Sequence, residues 1–455
     1  MRVAVIGTGW AGLAAAVRAR QADHDVTVFE AAPMPGGRAR SDDAGDAAVD
    51  NGQHILLGGY VRTLALMREV GVDVDAALLR LPLSMTYPDG SGFALSPHGN
   101  RLVAAARALI GARGFTGADK ISALGMTIKW QLRRFRCAPA LTVDAMLRLT
   151  PTPHVRTKLI EPLCVAALNT PSADASAAVF LAVMRDSLFG ARGASDLLLP
   201  QVPLAQLLPL PAIAWLARHG VRVHLRRRVA RIERTGGAWS LAIAGTDAAD
   251  RDAGEPASRS DSPDGTSDFT GELDALLFDR VILATPATEA ARLARPVSPA
   301  WADIAAALAH EPIVTLVLHA PKRAWPAAML ALDSGAATRP AQFAFKLGPQ
   351  VDGFDRVTLV VSAAGAWMAR GLDAIEAAAI AQYRAAFAVA PHEAVTCASV
   401  RADRRATFRC AAGVVRPPMR VAAGLLAAAD FVDGPYPATL EAAVMAGEAA
   451  ASALG

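Results

Sequence analysis

The first residues able to do chemistry are Gly7-Thr8-Gly9-Trp10-Ala11-Gly12, set between a β-branched run and an Ala-rich stretch of this 455-residue chain. In that setting Gly7 permits a tight turn, Gly9 lets backbone approach a pyrophosphate, and Gly12 lets a helix pack closely on a strand. The helix that follows offers phosphate its free N–H groups and the positive end of its dipole. Glu30 lies 23 residues beyond Gly7, at the end of a second apolar run, where its carboxylate accepts hydrogen bonds from ribose hydroxyls. Soon after, Gly36-Gly37-Arg38-Ala39-Arg40 brings backbone and guanidinium groups to a diphosphate. A glycine turn or a solvated basic loop would explain one piece alone. It does not explain both in this order around Glu30.

The elements that must hold these residues read as α/β. Residues 2–6 form a strand, 12–20 a helix and 25–29 a second strand, which together make one βαβ half-unit. Residues 60–214 read as largely helical, with loops at 82–97 and 151–153. Strands are expected at 221–232, 239–244 and 280–284, then at 313–319, 342–346 and 357–363, with an Ala-rich helix near 373–388. The Asp/Ser/Gly/Pro-rich stretch 245–271 reads as a flexible surface insertion without chemistry. From 421 the tail returns to a strand, a loop and a closing helix.

The double glycine and arginines after the acidic residue resemble the amine oxidase and phytoene desaturase superfamily of flavoproteins, which implies FAD in place of a nicotinamide cofactor. The resemblance reaches the far end of the chain. Ala428-Ala429-Asp430, then Pro437-Ala438-Thr439 at the head of the last helix, match the segment with which that family closes its FAD site. The family usually has Gly where Ala429 stands, which alters the backbone approach there. By the same resemblance Val229 marks the strand whose backbone holds the adenine, and Thr285 a second dinucleotide-domain crossover. The implied cofactor contacts are Gly7, Gly9, Trp10, Ala11, Gly12, Glu30, Ala31, Gly37, Arg38, Gln53, His54, Val229, Thr285, Asp430, Pro437, Ala438 and Thr439. The implied fold is a Rossmann-like FAD-binding domain from 1–60, 215–300 and 400–455. An α+β substrate domain from 61–214 and 301–399 is interleaved with it and includes a largely helical, membrane-facing part.

Within that superfamily the chain is most similar to the squalene-associated branch, the hydroxysqualene dehydroxylases. Asp50-Asn51-Gly52-Gln53-His54, the Glu161-Pro162 and Asn169-Thr170 segments, Ser195-Asp196 and His310-Glu311-Pro312 carry that likeness. It implies that an allylic hydroxyl leaves hydroxysqualene, a C30 isoprenoid, as water while reduced flavin delivers a hydride, giving squalene. Such chemistry needs an acid for the leaving hydroxyl, a water-poor pocket for the allylic cation, and an accepting carbon about 3–3.5 Å from flavin N5. His54 is the first candidate proton donor, because its segment returns from the Gly-Gly-Arg loop and an imidazole titrates near neutrality. Glu161, between Ile160 and Pro162, is a carboxyl that burial could keep protonated, and Asp196 is the third candidate. Each has a plainer reading, as a loop anchor, a helix-end hydrogen bond or an N-cap. Asn169 and Gln53 suit binding of the hydroxyl without proton transfer. The alternatives are an oxidative carotenoid or phytoene desaturase, or a non-catalytic isoprenoid carrier such as the flavin-free GDP-dissociation inhibitors. With 5% aromatic residues the chain does not suggest an amine oxidase's aromatic cage.

Bulk properties fit a greasy substrate, with 53% hydrophobic residues and a mean hydropathy of +0.29. A net charge of +4 is too small to argue for nucleic acid. Four cysteines without metal or disulfide spacing, and no signal-peptide pattern before Gly7, point to the cytoplasm. The uncharged run 197–217 carries four prolines and does not read as a spanning helix. Between Arg101 and Arg136 stand eight Lys/Arg and one acid, interleaved with apolar residues that include Trp130 and Phe135. That mixture predicts an amphipathic face on anionic lipid, with Trp130 and Phe135 at the interface, at the inner side of the cytoplasmic membrane. A second dinucleotide unit for NADPH is not evident, so the electron donor is open between NAD(P)H itself and a separate reductase.

Overall fold

A computed structural model describes residues 1–43, 49–95, 107–148, 151–244, 276–335, 337–346 and 353–455. The expected insertion at 245–271 and the start of the basic segment, 101–106, lie outside these residues.

Strand Arg2–Ile6 sits at the centre of a six-stranded sheet because its four buried residues, Val3 to Ile6, have apolar layers on both faces. The sheet order runs Arg420–Ala422, Leu425–Ala427, Arg280–Leu283, Arg2–Ile6, Asp25–Phe29, Arg222–His224, and only the outermost Arg420–Ala422 is antiparallel. Chain ends and middle therefore meet in one sheet. Strand Arg2–Ile6 leads through the glycine turn into helix Trp10–Gln21. Nine of that helix's residues are buried, because helices Pro209–Arg218 and Leu440–Ser452 pack against it. A Cβ on Gly447 would overlap the Ala11 carbonyl oxygen, whereas one on Gly125, in the exposed helix Gly117–Leu132, would meet nothing within 4 Å. Gly447→Ala is thus expected to lower stability by about 1–3 kcal/mol through overpacking. Gly125→Ala is expected to raise it by about 0.5–1 kcal/mol through helix propensity. Chemical denaturation of the two variants checks the opposite signs.

A second sheet, of five antiparallel strands, has the order Met329–Ala331, Phe343–Lys346, Asp355–Val361, His310–Ala320, Thr396–Phe408. Alternation along His310–Ala320 turns Val314, Leu316 and Leu318 toward helix Leu372–Ala386. The other face carries Ile313, Phe343, Phe345 and Val360 into an apolar cluster with Ile55, Leu57, Leu159 and Leu163. A three-stranded antiparallel sheet of Val229–Thr235, Ala238–Ile243 and Leu276–Phe278 lies beside the first sheet.

The structure departs from the sequence reading in three places. The stretch 60–214 is not purely helical. Leu78–Leu81 and Leu197–Pro200 join Leu56–Leu57 in a small sheet, and Ser84–Thr86 pairs with Gly92–Ala94. Strands of three or four residues are too short to show alternation, and Pro200 ends one of them. The division expected between 399 and 400 falls inside strand Thr396–Phe408, which pairs along its length with His310–Ala320. Trp130 faces inward: it is 6% exposed, with its ring edge-on to Phe180 at 6.0 Å. Phe135 is half-buried beside Phe189. No helix among the described residues is long and apolar enough to cross a membrane.

Candidate cofactor and active site

The glycine turn has the geometry to cradle a phosphate. Gly7 takes φ 109°, and a Cβ there would overlap the Ala284 carbonyl oxygen. Gly36 N–H donates to the Thr8 carbonyl at 2.9 Å, which sets the two glycine loops side by side. Gly37, at φ 63°, lies so close that its Cβ would stand 3.1 Å from Gly9 Cα. In front of Gly9 itself a Cβ would meet nothing within 4 Å. Gly9 caps helix Trp10–Gln21 without a side-chain acceptor, so the first-turn N–H groups of Trp10 and Ala11 keep their capacity for phosphate. The Trp10 indole plays a different part, donating to the Ala39 carbonyl at 3.0 Å and pinning the second glycine loop. Beside Gly7, the buried Thr285 hydroxyl oxygen has no partner in the protein. An open backbone approach, free N–H groups and an unpartnered hydroxyl together fit a bound diphosphate.

Glu30 is held ready by Thr8, whose N–H and hydroxyl both donate to Oε2 at 2.7 Å, and by Ala32 N–H donating to Oε1 at 2.8 Å. Oε1, with a single donor, keeps a lone pair for a ribose hydroxyl. Ala31 is exposed next to it. Arg227 N–H donates to the Glu30 carbonyl at 2.7 Å, which brings the strand of Val229 to the adenosine side. The Val229 side chain is buried and its carbonyl already accepts from Arg292 Nη2 at 3.1 Å, so that oxygen is shared rather than free for an adenine.

Arg38 and Asp430, 392 residues apart, meet at 2.5 Å through Nη2 and Oδ1. Arg38 also donates to the Ala406 carbonyl at 2.8 Å. Asp403 and His310 lie within electrostatic reach of the same guanidinium. The two glycine- or alanine-flanked segments singled out at opposite ends of the sequence are thus one site. The loop after Asp430 owes its shape to Arg416, which the sequence reading missed. This half-buried guanidinium donates to the carbonyls of Asp430, Phe431, Val432, Gly434 and Tyr436 and lies 4.9 Å from the Phe408 ring centroid. Burial pulls its pKa down. Thr439 then caps helix Leu440–Ser452, its hydroxyl accepting from Ala442 N–H at 3.1 Å, with Pro437 buried and Ala438 half-buried before it. The Tyr60 hydroxyl hydrogen-bonds Thr439, and Tyr436 donates to Asp186 at 3.0 Å, its phenol pushed up to about 12 by burial. Arg416→Met is expected to leave a folded protein that loses its flavin on dialysis. Affinity should fall roughly tenfold or more, the equivalent of one charged hydrogen bond at ~1.5–3 kcal/mol. Flavin absorbance after gel filtration measures this.

Of the three candidate proton donors, the structure brings only His54 to this centre. The loop from Asp50 leans on strand His310–Ala320, where a Cβ on Gly52 would stand 3.4 Å from Thr315 Oγ1. Asn51 donates to the Arg38 carbonyl at 3.1 Å, and Gln53 to the His54 carbonyl at 3.2 Å. His54 Nδ1 lies 3.2 Å from the Gly52 carbonyl, which assigns the proton of the neutral ring to Nδ1 and leaves Nε2 as an acceptor. Burial, and secondarily the Arg38 charge, lower its pKa below the usual 6.5, against the opposing pull of Gly52, Asp50 and Asp403.

Glu161 is not the apolar, buried acid expected of it. Its carboxylate accepts from Arg156 Nε at 2.9 Å and its side chain keeps 35% exposure. Leu159 and Leu163 reach the apolar cluster, and a residue two steps from each on a helix points the other way. Pro162 lacks an N–H, so the chain widens into a π-helical turn at Arg156–Ile160, and the Lys158 carbonyl accepts instead from the Tyr87 hydroxyl at 3.0 Å. Asp196 starts no helix. It pairs with Arg80 at 2.9 Å just before strand Leu197–Pro200. Asn169, in the left-handed conformation at φ 46°, is a tether. Its amide donates to Thr407 Oγ1 and the Glu311 carbonyl and accepts from Ala363 N–H. His310 was quoted in the sequence only as part of a likeness. It lies within electrostatic reach of Arg38, Arg405 and Asp430, its pKa lowered by burial first and the two arginines second.

Residues 10–455 match the family described as flavin containing amine oxidoreductase. Among curated proteins the chain is similar to the hydroxysqualene dehydroxylase of Sinorhizobium fredii, 27% identical over 253 residues, which cover 51% of this chain and 55% of that one. It is similar also to a probable zeta-carotene desaturase of Synechococcus elongatus, 28% identical over 277 residues, covering 56% of each. The matched chain spans about half the length of these relatives. Among solved structures, an oxidoreductase from Methanosarcina mazei superposes with a TM-score of 0.72 at 14% identity over 99% of both chains. Cyclohexylamine oxidase from Brevibacterium oxydans gives 0.66 at 16% over 100% of this chain and 98% of that one.

Proposed function

Starting from a chain that belongs to the flavin containing amine oxidoreductase family, is an FAD-dependent oxidoreductase, and has relatives named hydroxysqualene dehydroxylase, we propose that it removes the allylic hydroxyl of hydroxysqualene reductively, giving squalene. The observation that carries this reading is the apolar wall next to His54. Ile55, Leu57, Leu159, Leu163 and Ile313 are half-buried there and pack against Phe343 and Phe345. A C30 hydrocarbon needs such a surface, and an allylic cation needs the exclusion of water that it provides.

Reduced FAD, when bound, supplies the hydride. The protein's part is to hold the cofactor between Gly9, Glu30, Arg38, Thr285 and Thr439, and to protonate the leaving hydroxyl so that it departs as water. We assign that proton to His54, which donates only as the imidazolium, because the neutral ring has its one proton on Nδ1 toward Gly52. A desaturase reading is supported by the likeness to a zeta-carotene desaturase. It requires no proton donor but a base for the proton lost beside the hydride, and neutral His54, with Nε2 able to accept, would then fill that role.

Anaerobic incubation of the photoreduced holoprotein with hydroxysqualene tests the proposal. Flavin reoxidation matched by squalene release supports it. Reoxidation by added artificial acceptors but not by hydroxysqualene, or desaturation of a carotenoid by the oxidised flavin instead, sinks it.

A further inference from the structure

Helix Gly117–Leu132 is turned inside out. Its buried face is Ala123, Met126 and Trp130, and its water-facing stripe is Ile121 (74% exposed), Leu124 (50%), Ile128 (45%) and Leu132 (80%). The spacing of three, four and four residues sets these on one line along the helix. With Ile110 they make up five of the ten large apolar side chains exposed among the described residues. A stable helix does not present its apolar line to water without a use for it. A capping box between Thr116 and Asp119 fixes the start of the helix and consumes its one acid, which is buried.

The charge around the stripe is of one sign. Arg113, Lys129, Arg133, Arg134 and Arg136 are exposed beside it. At the helix end Arg134 and Phe135 take φ 52° and 55°, a left-handed turn in which the Phe135 ring lies tilted at 47° against Phe189, 5.1 Å between centroids. That turn sets the arginines at the mouth of a cavity of about 410 Å³, rimmed by Lys129, Arg133, Arg136 and Arg148 over a floor of Trp130 and Leu181. No acidic residue among the described ones lines it.

We propose that this face docks on a bilayer containing anionic phospholipid, with the Ile121–Leu132 stripe in the interfacial layer and a phosphate headgroup in the basic cavity. A second copy of the chain would bring the same positive charge against itself in a two-fold contact, whereas anionic lipid supplies both the opposite charge and the apolar layer. The inference does not depend on which substrate is reduced, since vesicle binding is read without turnover.

The test is co-sedimentation of the full-length holoprotein with vesicles of phosphatidylcholine alone or mixed with phosphatidylglycerol. Binding is expected to the mixed vesicles only, weakening with salt. Replacing Ile121, Leu124, Ile128 and Leu132 together by Ser should abolish it while bound-flavin absorbance is kept. The milder pair Ile121→Ser with Leu132→Ser gives the same direction if the larger change impairs folding. The triple variant Arg133→Gln, Arg134→Gln, Arg136→Gln should bind on the order of 100-fold more weakly, from about fivefold for each basic residue. Equal binding of both vesicle types overturns the proposal, as does unchanged binding of the stripe variants. A stripe-dependent dimer on gel filtration without vesicle binding overturns it too.

Discussion

Arg38→Met is expected to yield protein without flavin and with a fold weakened by about 2–3 kcal/mol. The value lies below the roughly 3–5 kcal/mol of a fully buried broken pair. Arg38 keeps 37% of its side chain exposed while Asp430 keeps 6%, so water entering the vacated space partly solvates the carboxylate. Asp430→Asn should cost less, because it leaves a partly solvated cation and not a buried anion. Combining the two removes both charges, and the double variant should be more stable than the sum of the singles predicts. It should still lack flavin, since the guanidinium proposed to serve the diphosphate is gone. Urea unfolding of the four proteins gives the coupling, and absorbance near 450 nm gives the occupancy. Full flavin retention in Arg38→Met would place the diphosphate elsewhere.

The second large effect belongs to His54. His54→Gln keeps a hydrogen-bonding side chain but no titrating proton, and turnover should fall about 10²–10⁴-fold, the usual share of general acid catalysis. The pH profile separates a proton donor from a spacer. Because the folded pKa lies below 6.5, the donating imidazolium is the minor form at pH 7. Turnover per bound flavin should therefore rise as pH falls through the folded pKa and level off below it. Stability moves the opposite way. Unfolded His54 takes up its proton at a higher pH than the folded residue does, so its favourable contribution is complete above 6.5 and lost as pH falls through the folded pKa. An acid-side rise that survives in His54→Gln assigns the proton to another group, and His310 beside Arg38 is the first to examine.

The glycine-loop half of the candidate site is legible in the sequence because its geometry is local. Gly7, Gly9 and Gly12 act within one turn, Glu30 closes the next strand, and Gly36 to Arg38 fold straight back onto Thr8 and Gly9. The tail was legible only through likeness, since no spacing rule connects Asp430 to Arg38. What the sequence hid depends on through-space packing. Arg416 stands in a Pro-rich run with nothing to mark it as the carbonyl clamp of the 430–436 loop. Glu161 looked buried because its neighbours are apolar, but helical geometry sends those neighbours one way and the carboxylate toward Arg156. Trp130 was read as an interface anchor on composition. The helix instead turned its aromatic residue inward and its aliphatic ones outward.

The pairing of the last strand and helix with the first has a consequence for biogenesis. Helix Trp10–Gln21 finds its chief neighbour, helix Leu440–Ser452, only after nearly the whole chain has been made. At about 5–20 residues per second, that leaves a nascent apolar helix uncovered for roughly 20–90 s. Cofactor loading therefore waits until residues 425–452 have left the ribosome and packed. Flavin incorporation reports that translation has passed Ser452, and chaperones have a defined client segment in the meantime.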